Sequence, residues 1–148
     1  MTDQLQADRD EIAEMCGWKR WNEEGDGIDH DDASGWYRRS KTLVDPEHPI
    51  PASLDFVSRV WPEGVTWRRE WEYYEETDDG EDYTGHFKWY ATTRIGTDEK
   101  RNIVGLGDSG DELTDRMTLL LRVLVWLRDN DRPAFDAACA KIRKEIQG

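Results

Sequence analysis

The chain has 148 residues, a net charge of −13 and a pI near 4.6, with 33 acidic side chains against 20 basic ones. That length makes a single domain over residues 1–148 the expectation, and a core burying roughly 68–70% of the unfolded surface is within reach. The acidic balance argues against direct contact with nucleic acid or an anionic membrane, since both need clustered Lys and Arg.

The first segment, Asp3 to Cys16, reads as a helix with Leu5, Ile12, Met15 and Cys16 on one face, and Gly17 supplies its stop. Met1-Thr2-Asp3-Gln4 has neither the basic region nor the apolar run of a signal peptide. Cys16 and Cys139 are too few and too far apart for a disulfide scaffold or zinc site. Each sits among apolar helical positions and is expected to be a small buried hydrophobe in a reducing cytoplasm. Residues 23–35 read as an exposed acidic loop, and the first 32 residues hold 11 acidic against 3 basic side chains. Trp36 and Tyr37 begin a short extended piece ending in Arg38-Arg39. Pro46, Pro49 and Pro51 mark coil, after which Ser53 caps a helix through Trp61, with Leu54, Val57, Val60 and Trp61 inward.

A sheet follows. Trp67, Arg69, Trp71 and Tyr73 alternate with Arg68, Glu70, Glu72 and Tyr74, a two-residue period with one aromatic-rich face. Thr77 to Asp82 reads as a turn around Asp79-Gly80, a hairpin signal. The return strand sets Tyr83, Gly85, Phe87, Trp89, Ala91, Thr93 and Ile95 against Thr84, His86, Lys88, Tyr90, Thr92 and Arg94. Gly96 to Arg101 reads as a second turn, and Asn102 to Leu106 as a short third strand. From Leu113, Met117, Leu120, Leu121, Leu124 and Leu127 share one helical face, widened by Leu119, Val123, Val125 and Trp126. Such a helix must be covered on most sides, so it is expected at the centre of the core, with Ser109 as its cap and Glu112 reaching back. A last helix follows Asp131, with Phe135, Ala138, Cys139, Ile142 and Ile146 inward. Strands followed by helices imply an α+β fold: an antiparallel sheet of about three strands packed with helices, in a helix–sheet–helix sandwich. Both strand faces carry aromatics, which suggests helices on both.

No motif here carries catalysis. Gly105-Leu106-Gly107-Asp108-Ser109-Gly110 has the spacing of a dinucleotide loop, but Asp108, Asp111 and Glu112 put negative charge where a pyrophosphate must sit. Gly107-Asp108-Ser109-Gly110 has a protease nucleophile's surroundings without its fold or its following glycine, and a helix cap explains Ser109. The carboxylates of residues 26–32 lack the ligand order of a calcium loop, and the three histidines have no metal-ligand spacing. No cofactor and no metal site is expected.

Ile12-Ala13-Glu14-Met15-Cys16-Gly17-Trp18 resembles the opening helix of bacteriophage proteins with the ABA sandwich domain. The later order is similar: a Pro-x-Ser helix start at Pro51-Ala52-Ser53, an aromatic hairpin and a buried final helix. The resemblance covers about residues 10–128 and implies a helix–sheet–helix sandwich in a phage or prophage protein, located in the host cytoplasm. It brings no activity and no site residues with it.

The expected function is therefore binding without catalysis: a phage-type accessory protein that inhibits or mimics, acting on a basic host protein of nucleic-acid handling or defence. Asp26, Asp29, Asp31 and Asp32, with Asp78, Asp79, Glu81 and Asp82, are the candidate partner-binding residues. The rival expectation is a sequestering protein for a small anionic or nucleotide ligand. Trp36, Tyr37, Arg38, Arg39, Tyr74, His86, Lys88, Tyr90 and Arg94 would hold it between aromatic and cationic groups.

Overall fold

A computed structural model describes residues 2–20, 35–38, 48–73, 85–95 and 99–147. In chain order these form α1 (Asp3–Met15), β1 (Trp18–Arg20), β2 (Trp36–Arg38), α2 (Leu54–Arg59), β3 (Val65–Tyr73), β4 (Gly85–Ile95), β5 (Glu99–Gly107), α3 (Glu112–Asn130) and α4 (Arg132–Gln147). The expected α+β class is borne out. β3, β4 and β5 make one antiparallel sheet with β4 in the middle, and β1 and β2 pair as a separate two-stranded ribbon. The carboxylate clusters Asp26, Asp29, Asp31, Asp32 and Asp78, Asp79, Glu81, Asp82 lie outside the described residues, as do Arg39 and Tyr74.

α3 occupies the centre, as its all-round apolar sequence requires. It touches α1, α2, α4, β4 and β5. Leu119, Leu120, Val123 and Leu124 are fully buried, and Leu121 and Leu127 nearly so. Its start differs from expectation. The helix begins at Glu112 with Asp111 in the cap position, and Ser109 lies outside it. The Asp111 carboxylate accepts the Thr114 hydroxyl at 2.5 Å instead of a backbone amide. Ser109 serves the turn before the helix, where its hydroxyl accepts the Asp111 N–H at 3.3 Å. A serine two residues ahead of an aspartate competed for the same role, and the aspartate took the position next to the first helical residue.

Polar groups inside the core are matched across helices. Thr2 caps α1 by accepting the Leu5 N–H at 3.1 Å, and its hydroxyl meets that of Thr114 at 3.0 Å. One turn along, buried Asp8 accepts the Thr118 hydroxyl and, at 2.8 Å, the Gln4 side-chain amide. α2 is shorter than expected. It stops at Arg59, so Phe56 joins Val57 and Val60 inside, while half-buried Trp61 leaves the helix and donates its indole N–H to the Val65 carbonyl at 2.7 Å.

In the sheet, Val65 pairs with Thr93 and Tyr73 with Gly85, so the alternation of β3 and β4 is in phase. One face meets α3 through Val65, Trp89, Ala91 and Val104, all buried. The opposite face carries Arg68, Glu70, Glu72, His86, Lys88, Tyr90 and Thr92, none of them buried. β5 is longer than expected, taking in Glu99, Lys100 and Arg101, which looked like turn residues. Their backbone groups complete the ladder to β4, while their side chains stay in water. A register shift at Ala91/Thr92 leaves Ile103 as the extra residue of a bulge.

The ribbon is fixed through His48. Arg20 lies 4.9 Å above the Trp36 ring, whose edge meets the His48 ring at 5.1 Å. His48 Nε2–H donates to Asp10 at 2.8 Å, and the Ile50 N–H donates to His48 Nδ1 at 3.0 Å. The Ile50 carbonyl in turn accepts from Arg9 Nε at 2.7 Å. This arrangement holds the neutral tautomer, because a proton on Nδ1 would face the Ile50 N–H. Burial is the leading cause that lowers the His48 pKa below the usual histidine value, with Arg9 adding to it against the pull of Asp10. For Asp10, burial works upward, yet hydrogen bonds from Arg20, His48 and Gln6 outweigh it and hold the carboxyl below its usual range.

A base with a depressed folded pKa binds its proton more readily in the unfolded chain, so its contribution is full above about pH 6.5 and is lost as pH falls toward the folded value. Asp10, with its own folded value lowered, loses its contribution at lower pH still. The denaturation midpoint is therefore expected to fall between about pH 7 and about pH 5, and His48→Gln should flatten that slope. A wild-type midpoint that does not move over this range would contradict the buried neutral histidine.

Candidate interaction face

The alternation of β3 places Trp67, Arg69, Trp71 and Tyr73 on the face that also meets α3. The register sets Ala91, Trp89, Phe87 and Gly85 directly opposite them. α3 covers this face only as far as its amino end. There, buried Asp115 accepts the Trp89 indole N–H at 3.2 Å and the Ser109 N–H at 3.1 Å. Arg116, one residue on, lies 4.4 Å above the Trp67 ring. Beyond Trp89 no described helix continues, and the aromatic residues of the strands emerge into solvent. The large hydrophobics that stand exposed among the described residues are Trp67 (38%), Trp71 (47%), Tyr73 (69%) and Phe87 (37%). All belong to this one face.

The rings are held in place by one another. Phe87 meets Trp71 edge-on at 4.9 Å, and Trp71 meets Tyr73 edge-on at 6.2 Å. Gly85 makes room for this: a Cβ there would fall 2.4 Å from the Trp71 ring. The Arg69 guanidinium lies 3.8 Å from the Phe87 centroid and 5.5 Å from that of Trp89. Asp108 anchors it, accepting from Nε at 2.7 Å. Burial would raise the Asp108 pKa, but the Gly110 N–H and the Arg69 guanidinium outweigh it, so the carboxyl lies below its usual range. Contiguous exposed apolar area of this kind marks interaction surfaces. A preset aromatic array with its arginines already paired suits a cationic or aliphatic side chain.

The β3–β4 connection leaves from the same end of the sheet, because Tyr73 ends β3 and Gly85 opens β4. In sequence it carries Glu75, Glu76, Asp78, Asp79, Glu81 and Asp82 and no Lys or Arg. Sequence alternation had marked the aromatic face of β3, yet as a face to be covered. The length of α3 relative to the sheet, which decides the matter, has no local signature.

The residues of the ligand reading fall into separate places. Trp36 is buried, under Arg20 and beside His48, and Arg38 lies 5.8 Å from the Trp18 ring in the ribbon. His86, Lys88, Tyr90 and Arg94 are on β4, on the polar face of the three-stranded sheet. There the groups are joined to one another. Tyr90 donates to Glu72, which raises the Tyr90 pKa. Arg68 lies 4.6 Å over Tyr90 and donates to Thr92 at 2.7 Å and Asn102 at 2.9 Å.

The Gly-x-Gly-x-x-Gly loop is likewise occupied by its own groups. The Ser109 N–H goes to Asp115, the Gly110 N–H to Asp108 at 2.7 Å, and the Asp111 N–H to Ser109. The amides a phosphate would use are spent on side-chain oxygens of the same turn. A cleft of about 690 Å³ opens between Arg9, His48, Phe56, Arg59 and Glu145. Both His48 nitrogens are engaged, and Arg59 pairs with Asp55 at 3.0 Å and Glu145 at 3.1 Å. Among the described residues no His, Cys, Asp and Glu group could hold a metal ion, and no helix is long and apolar enough to cross a membrane. No protein-family model, curated protein or solved structure matches this chain.

Proposed function

We propose that this chain acts by binding, and that its partner is a basic protein received on the aromatic end of the three-stranded sheet. The carrying observation is that Trp67, Trp71, Tyr73 and Phe87 stand exposed together on one sheet face. They do so where the acidic β3–β4 connection begins and ends. The two features ask for the same partner. Carboxylates draw a cationic surface in over about 8–10 Å at physiological salt. Exposed Trp and Tyr rings then give Arg and Lys side chains a surface to stack on. The arginines of the face do not oppose this, since Arg69 is paired with Asp108 and Arg116 with Glu112 at 3.6 Å. A basic, nucleic-acid-handling or defence protein of the host is the target class that this charge and the phage-type resemblance favour.

The test uses an Arg-rich peptide, a Ser/Gly-rich peptide of equal length and a single-stranded oligonucleotide, titrated against wild type and the Trp71→Ala/Tyr73→Ala double variant. The Arg-rich peptide should bind wild type, weaken with rising salt, and lose about tenfold or more in affinity on the double variant. The variant's melting curve should match wild type, because both side chains are largely outside the core. Equal binding to wild type and variant, or a preference for the oligonucleotide, would overturn the proposal.

A further inference from the structure

The three-stranded sheet has two edges, and the fold treats them differently. On β5, Arg122 donates to the Gly105 carbonyl at 3.3 Å, and Lys100 and the bulge at Ile103 guard the rest of the edge. β3 has no bulge against β4 and contains neither Lys nor Pro. The ladder sets the direction of its backbone groups. The Phe87 carbonyl accepts the Asp108 N–H at 3.3 Å, so Phe87 turns its N–H and C=O toward β5. Trp71, directly opposite Phe87, therefore turns its own away from β4, and alternation gives Val65, Trp67 and Arg69 the same direction. At Val65 those groups are covered locally: its N–H donates to the Pro62 carbonyl at 3.4 Å, and its carbonyl accepts the Trp61 indole N–H at 2.7 Å. Trp67, Arg69 and Trp71 have no such cover. Among the described residues nothing bonds their outward N–H and C=O groups.

We propose that the free edge of β3 is a self-association site, at which a second copy of this chain adds its own β3 antiparallel and joins the two sheets into one. The sequence of β3 is complementary to itself about Arg69, the middle residue of Val65–Tyr73. Antiparallel pairing over the whole strand sets Trp67 opposite Trp71 of the second copy, Arg68 opposite its Glu70, and Arg69 opposite its Arg69. The junction is two-fold, so every contact off the axis occurs twice. Trp67, Arg69 and Trp71 then exchange hydrogen bonds with the residues facing them, and the edge groups that β4 leaves over are all used.

The side chains favour this register. On the aromatic face, exposed Trp67 and Trp71 become cross-strand neighbours of each other's copies, the kind of pair that stabilises a sheet. On the polar face, Glu70 comes to lie between the Arg68 of its own strand, whose Nε–H donates to it at 2.6 Å, and the Arg68 of the second copy. The like-charged pair is Arg69 with its copy, and each guanidinium is drawn aside by its own Asp108 at 2.7 Å. A register slipped by two residues sets Arg68 against Arg68 in one direction and Glu70 against Glu70 in the other. What opposes the junction is the net charge of −13 on each copy, so association strengthens as salt screens it. Binding of a basic peptide has the opposite salt dependence, which keeps the two events separable.

The experiment is sedimentation equilibrium of the full chain at low and high salt over a wide range of concentration, with amide hydrogen exchange read by NMR on the same samples. The average mass should rise with concentration from the 17.3 kDa of one chain toward twice that, and should do so earlier in high salt. The amides of Trp67, Arg69 and Trp71 should slow by about tenfold or more as the dimer forms, while those of Arg68 and Glu70, bonded to β4, are protected throughout. Arg68→Glu and Glu70→Arg, each with the far-UV circular dichroism of wild type, should stay single chains where wild type pairs. A mixture of the two variants should form one-to-one dimers, because each then meets the opposite charge across the junction, a rescue that no contact within one strand can supply. A chain that stays at 17.3 kDa at every concentration and salt would overturn the proposal. So would a dimer in which the Trp67, Arg69 and Trp71 amides exchange as in the single chain, or a variant mixture that fails to pair. Protection of those amides by an Arg-rich peptide on a chain that remains single would give the edge to a foreign strand and would also overturn it. Peptide binding is titrated on the dilute single chain, so either result can fail without the other.

Discussion

Leu120→Ala is expected to destabilise the protein by about 2–5 kcal/mol, the range for emptying a fully buried leucine site. Leu120 is wholly buried on α3, which is enclosed by α1, α2 and α4 and by strands β4 and β5. None of these elements can collapse into the space without pulling away from another neighbour. Urea denaturation followed by far-UV circular dichroism measures the loss, and the spectrum at zero urea shows whether the variant still folds. A midpoint equal to wild type would mean that α3 is not the centre on which the helices and sheet are assembled.

The second large effect is expected at Asp115. Its buried carboxylate holds two donors, the Trp89 indole N–H and the Ser109 backbone N–H, and so fixes the sheet to the start of α3. Asp115→Ala strands both donors, at a cost on the order of 1–3 kcal/mol for each. Asp115→Asn keeps one acceptor oxygen and should lose less than the alanine variant. Both are read by urea denaturation with tryptophan fluorescence, and Trp89 should report the change directly. Equal stability of wild type and both variants would show that these bonds contribute nothing beyond what water supplies.

How much of this could be read from residues alone varies by element. α3 was legible because Leu113, Met117, Leu120, Leu121, Leu124 and Leu127 recur at helical spacing with few polar gaps. β4 was legible because Phe87, Trp89 and Ala91 alternate with Lys88, Tyr90 and Thr92. Both signals depend only on the chain's own period. In sequence Asp115 is simply an acidic residue in the first turns of α3, where it suits the helix dipole, whereas in the fold it is a buried acceptor for a tryptophan 26 positions earlier in the sequence. Such a pairing has no local pattern. His48 lies outside helix and strand, as its proline-rich surroundings imply, but nothing in Pro46 to Pro51 announces that Asp10 and Ile50 will take both ring nitrogens.

The candidate site divides along the same line. The aromatic residues of β3 were visible, and their grouping on one face was visible too. Their exposure was not, because it depends on where α3 ends relative to Trp89 and Trp71. The ligand reading gathered Trp36, Tyr37 and Arg38 with His86, Lys88, Tyr90 and Arg94 on chemical type. In the fold the first three belong to the β1–β2 ribbon and the others to β4. Similar side chains in sequence order do not share a pocket unless strand order brings them to one surface.

The most direct test of the account is where a basic partner touches the chain. The chain has eight tryptophans, each with an indole N–H that gives its own signal in a proton–nitrogen correlation spectrum once assigned by single Trp→Phe variants. Titration with an Arg-rich peptide should move the Trp71 and Trp67 signals and leave those of buried Trp18, Trp36 and Trp89 in place. Added salt should return the shifted signals toward their free positions. Shifts confined to Trp18 and Trp36, or none at any tryptophan while the peptide binds, would contradict the assignment of the aromatic sheet face as the interaction surface.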